Sequence, residues 1–441
     1  MRRVSFVTFA AVAALGLALL LVRRLPWHAE ARVAARTDPT PALVQTTSTS
    51  GGRDENPMKA PEPAWIAGLD LVHIASDEQG STAPAQAGTA RLTLDSELQR
   101  TATDLMRGHH LPEAAVVLMD VSTGRLLVYA SHVESAPARD LCAEATAPSA
   151  SVFKLVTAAA LVERAHLGSN TKQCYSGGEQ RIRSIDLVED PRRDRWCTTL
   201  AGALGRSLNT VFARLASEHL TPAELDAMAR RFGYGRAPSF DVPVQASALR
   251  MPSDSLEFAR TAAGFWNTTL SPLQAAQISA IVAHDGEAVR PSVVDKILSP
   301  NGSVVWAAGP SPAVRAISGE TAEQLATMMA HTVTEGTSRR AFHDGRGTPF
   351  LPGIAVAGKT GTLTDSDARR YYTWFTGFAP ANAPAEAPRV AVAALVVNGP
   401  TWEIKANVLG RDVLRAYFAS RGVAGVTRPS VSSIARHRAR R

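Results

Sequence analysis

Two side chains near the middle of the sequence have the types and spacing of a nucleophile and its base. Ser151 and Lys154 are three residues apart, and this spacing puts both on one face of a helix. A serine hydroxyl is a weak nucleophile until a base accepts its proton, and burial can lower a lysine pKa enough for that role. The pair therefore predicts nucleophilic catalysis. A second S-x-x-K, Ser169 to Lys172, lies in a polar stretch after Gly168, and we interpret it as a chance occurrence.

A serine and an asparagine two residues apart form the second candidate, Ser207 and Asn209. A hydroxyl at this place can pass a proton to a leaving group. The amide can hold a substrate carbonyl and orient Lys154. Another S-x-N, Ser299 to Asn301, runs into a glycine and is typical of a turn.

The third candidate is a run of four residues after a strand-like stretch at 355–358: Lys359, Thr360, Gly361 and Thr362. Glycine in a strand lets another backbone approach the strand edge closely. An ammonium group and two hydroxyls can bind a carboxylate through charge-assisted hydrogen bonds. We therefore predict an edge strand that binds an anionic substrate group.

The hydrophobic pattern predicts the elements that must position these side chains. Two early strands, at 115–119 and 125–129, flank a turn and predict a hairpin. Three late strands are predicted at 354–357, 371–378 and 390–397. Helices are predicted at 95–107, 151–165, 201–215, 222–231, 272–284, 320–331 and 403–418. This order predicts an α+β fold with a central antiparallel five-stranded sheet flanked by helices.

The N-terminal segment, residues 1–24, predicts a cytoplasmic end and a transmembrane anchor. Residues 4–22 form an apolar run interrupted only by Ser5 and Thr8, and its length spans the hydrocarbon core of a membrane. Arginines flank the run on both sides, so charge does not fix its orientation. A cleaved signal peptide with a site at 29–31 is the alternative. We expect an uncleaved anchor, with most of the chain outside the cytoplasm.

Composition predicts two unstructured segments and excludes several functions. Residues 25–90 are predicted to be a flexible linker and residues 421–441 a basic disordered tail. The net charge of +7 comes largely from arginines at the two ends, so we predict no nucleic-acid surface. Neither an H-E-x-x-H nor a C-x-x-C segment occurs, so no metal site is predicted.

Cys174 and Cys197 bracket a polar, arginine-rich segment between the first two candidate motifs. Disulfides persist outside the cytoplasm, so these two cysteines are a candidate pair. The remaining cysteine, Cys142, is an alternative partner for either of them.

Taken in order, the three motifs resemble those of the penicillin-binding transpeptidases and serine β-lactamases. Longer stretches are similar to the transpeptidase domain of high-molecular-mass penicillin-binding proteins: LTLDSELQ (92–99), MDVSTGRLLVYAS (119–131), LSPLQAAQISAIVAHDG (270–286), AVAGKTGT (355–362) and WFTGFAPA (374–381). The resemblance covers residues 91–420, which we expect to form the penicillin-binding transpeptidase domain. Residues 25–90 are too short and polar for a glycosyltransferase or pedestal domain, so a monofunctional, membrane-anchored type is expected.

The resemblance implies a peptidoglycan D,D-transpeptidase that cross-links D-Ala-D-Ala stem peptides and is covalently inhibited by β-lactam antibiotics. It makes Ser151 the acylated nucleophile and Lys154 its general base. Ser207 would pass the proton to the departing D-alanine, and Asn209 would position the peptide. The substrate carboxylate would be bound by the third motif, Lys359, Thr360, Gly361 and Thr362.

The resemblance also implies an oxyanion hole made by the backbone N–H groups of Ser151 and Thr362. No cofactor and no metal are expected. The implied location is the inner (cytoplasmic) membrane, with the catalytic domain on the periplasmic, extracytoplasmic side. Partners in a cell-wall synthesis complex are a further expectation.

Three alternative functions remain on the same fold. A D,D-carboxypeptidase or endopeptidase would use water as the acceptor, and the membrane tether favours transfer over it. A β-lactamase with a deacylating glutamate is disfavoured, because no glutamate between 208 and 358 has an asparagine four residues later. A β-lactam-binding sensor or scaffold without turnover is the third. The sequence also departs from the family at 148–150, where Pro-Ser-Ala stands in place of the frequent Pro-Gly before the nucleophile.

Overall fold

A computed structural model of the chain describes residues 66–429, apart from 136, 178–180 and 385–386. The predicted anchor, most of the predicted linker and the end of the basic tail lie outside these described residues. Within 66–429, none of the helices combines the length and apolar character needed to cross a membrane.

The described residues form sixteen strands, ten α-helices and two 3-10 helices. The strands are β1 Ala75–Asp77, β2 Gly80–Ala85, β3 Gly88–Leu92, β4 Glu113–Asp120, β5 Leu126–Val133, β6 Ala147–Pro148, β7 Lys172–Tyr175, β8 Trp196–Thr199, β9 Thr269–Leu270, β10 Glu287–Val289, β11 Val294–Leu298, β12 Val304–Ala307, β13 Ala313–Arg315, β14 Ala357–Asp365, β15 Arg370–Ala379 and β16 Val390–Asn398. The helices are α1 Ser96–Gly108, α2 Lys154–Ala165, α3 Leu200–Arg206, α4 Asn209–His219, α5 Pro222–Arg231, α6 Ser255–Ala262, α7 Pro272–Ala283, α8 Gly319–Thr334, α9 Arg339–Phe342 and α10 Ala406–Ser420.

The central sheet has five strands in the order β14-β15-β16-β4-β5, and every neighbouring pair is antiparallel. This confirms the predicted antiparallel sheet. All nine residues of β16 are buried, because helices cover both faces of the sheet. Successive side chains of a strand point to opposite faces. Accordingly Ala391 and Ala393 pack in one core cluster, whereas Val390 and Val392 pack in the other.

The first core cluster, which contains Ala391 and Ala393, includes helices α7 and α2. The second core cluster, which contains Val390 and Val392, includes helices α1 and α10. Every residue of helix α7 is buried, including the polar Gln274, Gln277 and Ser279. A helix with no exposed face is covered by other elements on every side. Helix α7 packs against strands β4, β15 and β16 of the central sheet and against α8.

A second five-stranded sheet, β1-β2-β3-β11-β12, corrects the predicted linker of residues 25–90. Strands β2 and β3 bury Ala83 and Ala90, and β3 pairs with β11 about 200 residues later. The folded domain thus begins before residue 91. The small and polar residues of these short strands produce no strong strand pattern.

The predicted start of the disordered tail, at residue 421 of the segment 421–441, is also too early. Val426 packs in the second core cluster, and Arg428 forms an ion pair with Glu97 of α1. Residues 421–429 therefore pack against the domain after α10 ends.

Candidate active site

The candidate nucleophile lies on a single 3-10 turn, Ala150–Phe153, that leads directly into α2. Strand β6 pairs with β9 just before this turn, and the Trp374 indole N–H donates to the carbonyl of Pro148 at 2.8 Å. Ala150 has a left-handed backbone with φ of 49°, a conformation that is costly for a residue with a Cβ. The chain thus holds Ser151 in a segment fixed from both sides.

Lys154 is fully buried behind Ser151. Its Nζ lies 2.8 Å from the Ser151 Oγ, 2.7 Å from the Asn209 Oδ1 and 2.5 Å from the Ala263 carbonyl oxygen. Burial, together with the nearby charge of Lys359, holds the Lys154 pKa well below its usual value. A neutral amine has two N–H donors for the amide and carbonyl oxygens. Its lone pair then faces the serine hydroxyl, as a general base requires.

The second motif lies at a break between two helices. The predicted continuous helix 201–215 is wrong here, because α3 ends at Arg206 and α4 begins only at Asn209. Ser207 has a left-handed backbone with φ of 60°, and Leu208 is extended. The break turns the Ser207 and Asn209 side chains into the cleft. There Ser207 contacts Lys359, and Asn209 contacts Lys154.

The third motif lies within β14, an edge strand of the central sheet. The edge position confirms the prediction, but the predicted bounds 354–357 are wrong: the strand runs over Ala357–Asp365, shares only Ala357 with the prediction and contains the motif itself. Lys359 is fully buried and donates to the Ser207 Oγ at 2.9 Å. A Cβ added to Gly361 would lie 3.1 Å from the Ala150 Cβ, so this glycine lets β14 pass beside the nucleophile turn.

These motifs surround one cavity of about 330 Å³. Its lining residues are Ser151, Ser207, Asn209, Thr337, Thr360, Gly361, Thr362, Thr373, Trp374, Lys405 and Asn407. No carboxylate is among them, which suits an anionic substrate. The described part of the chain contains no group of three or more His, Cys, Asp and Glu side chains that could hold a metal ion.

Sequence reasoning missed several residues of this site. Ala263 contributes only its carbonyl oxygen, and it follows α6, a helix of eight residues that was not predicted. Gly264 has φ of 81°, and a Cβ there would lie 2.4 Å from the Ala150 carbonyl oxygen. The hydroxyl oxygens of Thr337 and Thr360 lie 2.5 Å apart. A backbone carbonyl carries no side-chain signal, whereas the glycine after α6 is a signal that could have been used.

The predicted disulfide between Cys174 and Cys197 is present and joins paired positions of β7 and β8. Cys142 is unpaired and buried, which removes it as an alternative partner. The buried Arg214 of α4 donates to the Cys174 carbonyl at 2.8 Å and to the Asp194 carboxylate at 2.7 Å. The bridged segment is thereby tied to the helix that begins at Asn209.

Replacing both bridge cysteines, Cys174→Ser with Cys197→Ser, should lower the free energy of unfolding by about 3 kcal/mol. The reason is the loop entropy that a bridge of this span removes from the unfolded chain. Denaturant unfolding measures the change. Wild type under reducing conditions should match the double variant, and Cys142→Ala should keep its sensitivity to reductant. Equal stability of wild type and double variant would contradict this prediction.

The charge of Lys359 should set an upper pH limit for substrates with a carboxylate. Burial lowers the pKa of Lys359 to about 7. Its ammonium is therefore present below that pH and is lost as the pH rises through it. We expect kcat/KM for acylation to fall above about pH 7. In Lys359→Arg, which stays charged, the decline should move to higher pH; an unchanged pH profile would refute this assignment.

The fold and the Ser–Lys site define a serine acyl-transfer protein. The family model for the penicillin binding protein transpeptidase domain matches residues 114–412. The chain therefore belongs to the penicillin-binding protein transpeptidase domain family.

Individual relatives agree with this membership. The peptidoglycan D,D-transpeptidase PbpA of Mycobacterium tuberculosis (strain H37Rv) is 28% identical over 85% of this chain and 80% of that protein. The crystal structure of the D,D-transpeptidase domain of a peptidoglycan glycosyltransferase from Eggerthella lenta superposes with a TM-score of 0.61 at 25% identity, over 79% of this chain and 95% of that one. The imipenem acyl-enzyme complex of penicillin-binding protein A from M. tuberculosis gives a TM-score of 0.60 at 25% identity, over 75% and 79% of the two chains.

Proposed function

We propose that this chain is a peptidoglycan D,D-transpeptidase that works through an acyl-enzyme on Ser151. The observation that carries the proposal is the contact chain in which Lys154 lies between Ser151 and Asn209 while Lys359 lies against Ser207. One lysine is placed to accept a proton and the other to hold an anion. Family membership and the named D,D-transpeptidase relatives support the same reaction.

In the first half-reaction, the Ser151 Oγ attacks the carbonyl carbon of the penultimate D-alanine, and its proton passes to the Lys154 Nζ. The N–H groups of Ser151 and Thr362 stabilise the oxyanion, and such donors are often worth about 10²–10³ in rate. Lys359 and the threonine hydroxyls hold the terminal carboxylate. The C–N bond then breaks, and the proton that Lys154 accepted passes by way of the Ser207 hydroxyl to the amine of the departing D-alanine.

In the second half-reaction, an amine of a neighbouring stem peptide attacks the Ser151 ester. Lys154 accepts the amine proton and gives it to the Ser151 Oγ as the ester C–O bond breaks. The new amide is the peptide cross-link. A β-lactam enters the same path, because its strained amide acylates Ser151 while its carboxylate occupies the Lys359 subsite. The release of that acyl group is slow, so the antibiotic remains bound.

The decisive experiment incubates the purified full-length chain with D-Ala-D-Ala stem peptides and an amine acceptor, followed by mass spectrometry. A cross-linked product is expected. Release of D-alanine without cross-links would make the chain a carboxypeptidase, and cleavage of existing cross-links an endopeptidase. Rapid turnover of a β-lactam would make it a β-lactamase. Stable labelling by penicillin with no peptide turnover would make it a sensor or scaffold.

The proposal includes anchoring by residues 4–22 in the inner (cytoplasmic) membrane, with the catalytic domain on the periplasmic, extracytoplasmic side. The apolar run supports it, and so does the disulfide, because such bridges persist in oxidising compartments. Membrane fractionation tests the anchor. The full chain should sediment with membranes, and a variant lacking residues 1–24 should not.

A further inference from the structure

A threonine outside the three sequence motifs lines the active-site cavity beside the third motif. Thr337 lies in the turn between α8 and α9, and it is exposed at the cavity wall. Its hydroxyl oxygen lies 2.5 Å from that of Thr360, which also lines the cavity. A fourth segment of the chain therefore contacts the carboxylate subsite, which is formed by Lys359, Thr360 and Thr362.

The backbone of Thr337 is held by the helix that ends just before Ser207. The Thr337 N–H donates to the carbonyl of Gly205, in α3, at 3.0 Å. A Cβ added to Gly336 would collide with the same carbonyl oxygen, so the turn can approach α3 this closely only with a glycine at that position. The place of Thr337 is therefore set by α3 and does not depend on its contact with Thr360.

The groups that can touch a bound carboxylate directly are the hydroxyls of the cavity wall. Lys359 is fully buried and is not among the lining residues, so it contributes its charge from behind the wall. Ser207, Thr360 and Thr362 do line the cavity. Each of these hydroxyls has a single hydrogen to donate. The direction of that hydrogen therefore decides whether the hydroxyl binds the ligand.

A bound carboxylate fixes the direction of the hydrogen bond between Thr337 and Thr360. An ionised carboxylate can only accept hydrogen bonds. Once Thr360 donates its hydrogen to the carboxylate, only Thr337 can supply the hydrogen for the 2.5 Å contact between the two hydroxyl oxygens. The donors then run in one direction, from Thr337 through Thr360 to the ligand. Hydrogen bonds in such a chain polarise and strengthen one another.

We propose that Thr337 is a positioning residue for the substrate carboxylate: it donates to the Thr360 hydroxyl and so directs the Thr360 hydrogen toward the ligand. Thr337 thereby increases the preference for stem peptides that end in a free carboxylate over peptides with a neutral C-terminus. This role rests on the proposed function, because that function supplies the substrate. Binding of the carboxylate does not itself require acylation of Ser151.

The test of binding uses the full-length Ser151→Ala chain, which cannot turn the peptide over. Calorimetry measures its affinity for Nα,Nε-diacetyl-L-lysyl-D-alanyl-D-alanine and for the C-terminal amide of the same peptide. The acid should bind more tightly, and adding Thr337→Val should reduce this preference about fivefold, because a donor to a charge-assisted chain is lost. Thr337→Ser keeps the hydroxyl and should keep the preference. Equal binding of acid and amide by Ser151→Ala would overturn the proposal.

The same turn of the chain offers a matched control. Thr334 is an exposed threonine at the end of α8, and its hydroxyl donates to the Ala330 carbonyl of its own helix at 3.2 Å. Thr334→Val should leave the preference for the acid unchanged. Thermal unfolding should show that Thr337→Val is folded, since the substituted side chain is exposed. If Thr337→Val weakened acid and amide binding equally, its role would be structural and the proposal would fail.

A double-mutant comparison shows whether Thr337 acts through Thr360. Thr360→Val removes the hydroxyl that Thr337 is proposed to orient, so Thr337→Val should have no further effect on the acid preference in that background. An undiminished effect there would mean that Thr337 contacts the ligand by itself, and it would overturn the positioning role.

Acylation rates separate this proposal from the proposed function. With Ser151 restored, kcat/KM for the acid relative to the amide should fall about fivefold in Thr337→Val, as the affinities do. A wild-type chain that is acylated with the same acid-to-amide ratio as Thr337→Val would refute the role of Thr337 alone. A chain whose Ser151→Ala form prefers the acid, but which neither the peptide nor penicillin acylates, would refute the proposed function and leave the role of Thr337 in carboxylate binding in place.

Discussion

Ser151→Ala should abolish covalent labelling of the chain by a fluorescent penicillin. The substitution removes the hydroxyl oxygen that lies 2.8 Å from the Lys154 amine and is the candidate nucleophile. Loss of a nucleophilic serine costs about 10⁶ in kcat in a serine protease, and a similar loss is expected for peptide turnover here. Gel fluorescence after incubation with the probe, confirmed by intact-mass measurement, gives the result.

The chain offers a matched control for this experiment. Ser169 begins the second S-x-x-K, and its backbone N–H donates to the Gln324 side chain at 2.7 Å. Ser169→Ala removes a serine from the same pattern and should be labelled as wild type is. Labelling of Ser151→Ala at the wild-type level would disprove the assignment of the nucleophile, whatever the control shows.

Lys154→Arg should reduce acylation by about 10²–10⁴-fold, the usual contribution of a general base. A guanidinium keeps its proton throughout the accessible pH range, so it can donate to Ser151 but cannot accept from it. The same position is fully buried, and thermal unfolding should accompany the rate measurement to show that the variant is folded. Lys172→Arg, at the exposed lysine of the second S-x-x-K, is the matched control and should act as wild type.

The pH dependence of acylation separates a lost base from a distorted site. In the wild type the base is active only when neutral, so the rate rises as the pH passes upward through the Lys154 pKa. That pKa is held well below its ordinary value by burial and by the charge of Lys359, so the rise should end below the usual range for lysine. The rise should be missing in Lys154→Arg. A variant that keeps both the rise and the wild-type rate would exclude Lys154 as the base.

The strongest elements of the fold were predictable because their patterns are local. Residues 390–397 and 371–378 are long apolar and β-branched runs, and they form β16 and β15 within about two residues of the predicted bounds. The second sheet was not predictable in this way. Its strand β2 reads GSTAPA, and β3 finds its partner β11 far along the chain. Such strands are specified by tertiary pairing rather than by their own propensity.

The site divides along a similar line. Ser151, Asn209 and Lys359 were found because each carries a reactive side chain in an ordered motif. The Ala263 carbonyl oxygen was not found, although it lies as close to the Lys154 amine as any other acceptor. The left-handed turn at Ser207 was also missed, since apolar residues continue on both sides of it and favour a single helix. A conformation imposed by neighbouring elements leaves no trace in a local pattern.

The strand order of the central sheet determines when during synthesis the sheet can be completed. Strands β4 and β5 are made early, but the neighbour of β4 is β16, and their paired residues Asp120 and Val390 are about 270 residues apart. The apolar edge of β4 therefore stays open while the intervening helices are synthesised. Open apolar strands promote aggregation. Expression of this protein should therefore depend on factors that shield the nascent hairpin until the last strand arrives, more than a domain of similar size built from local contacts would.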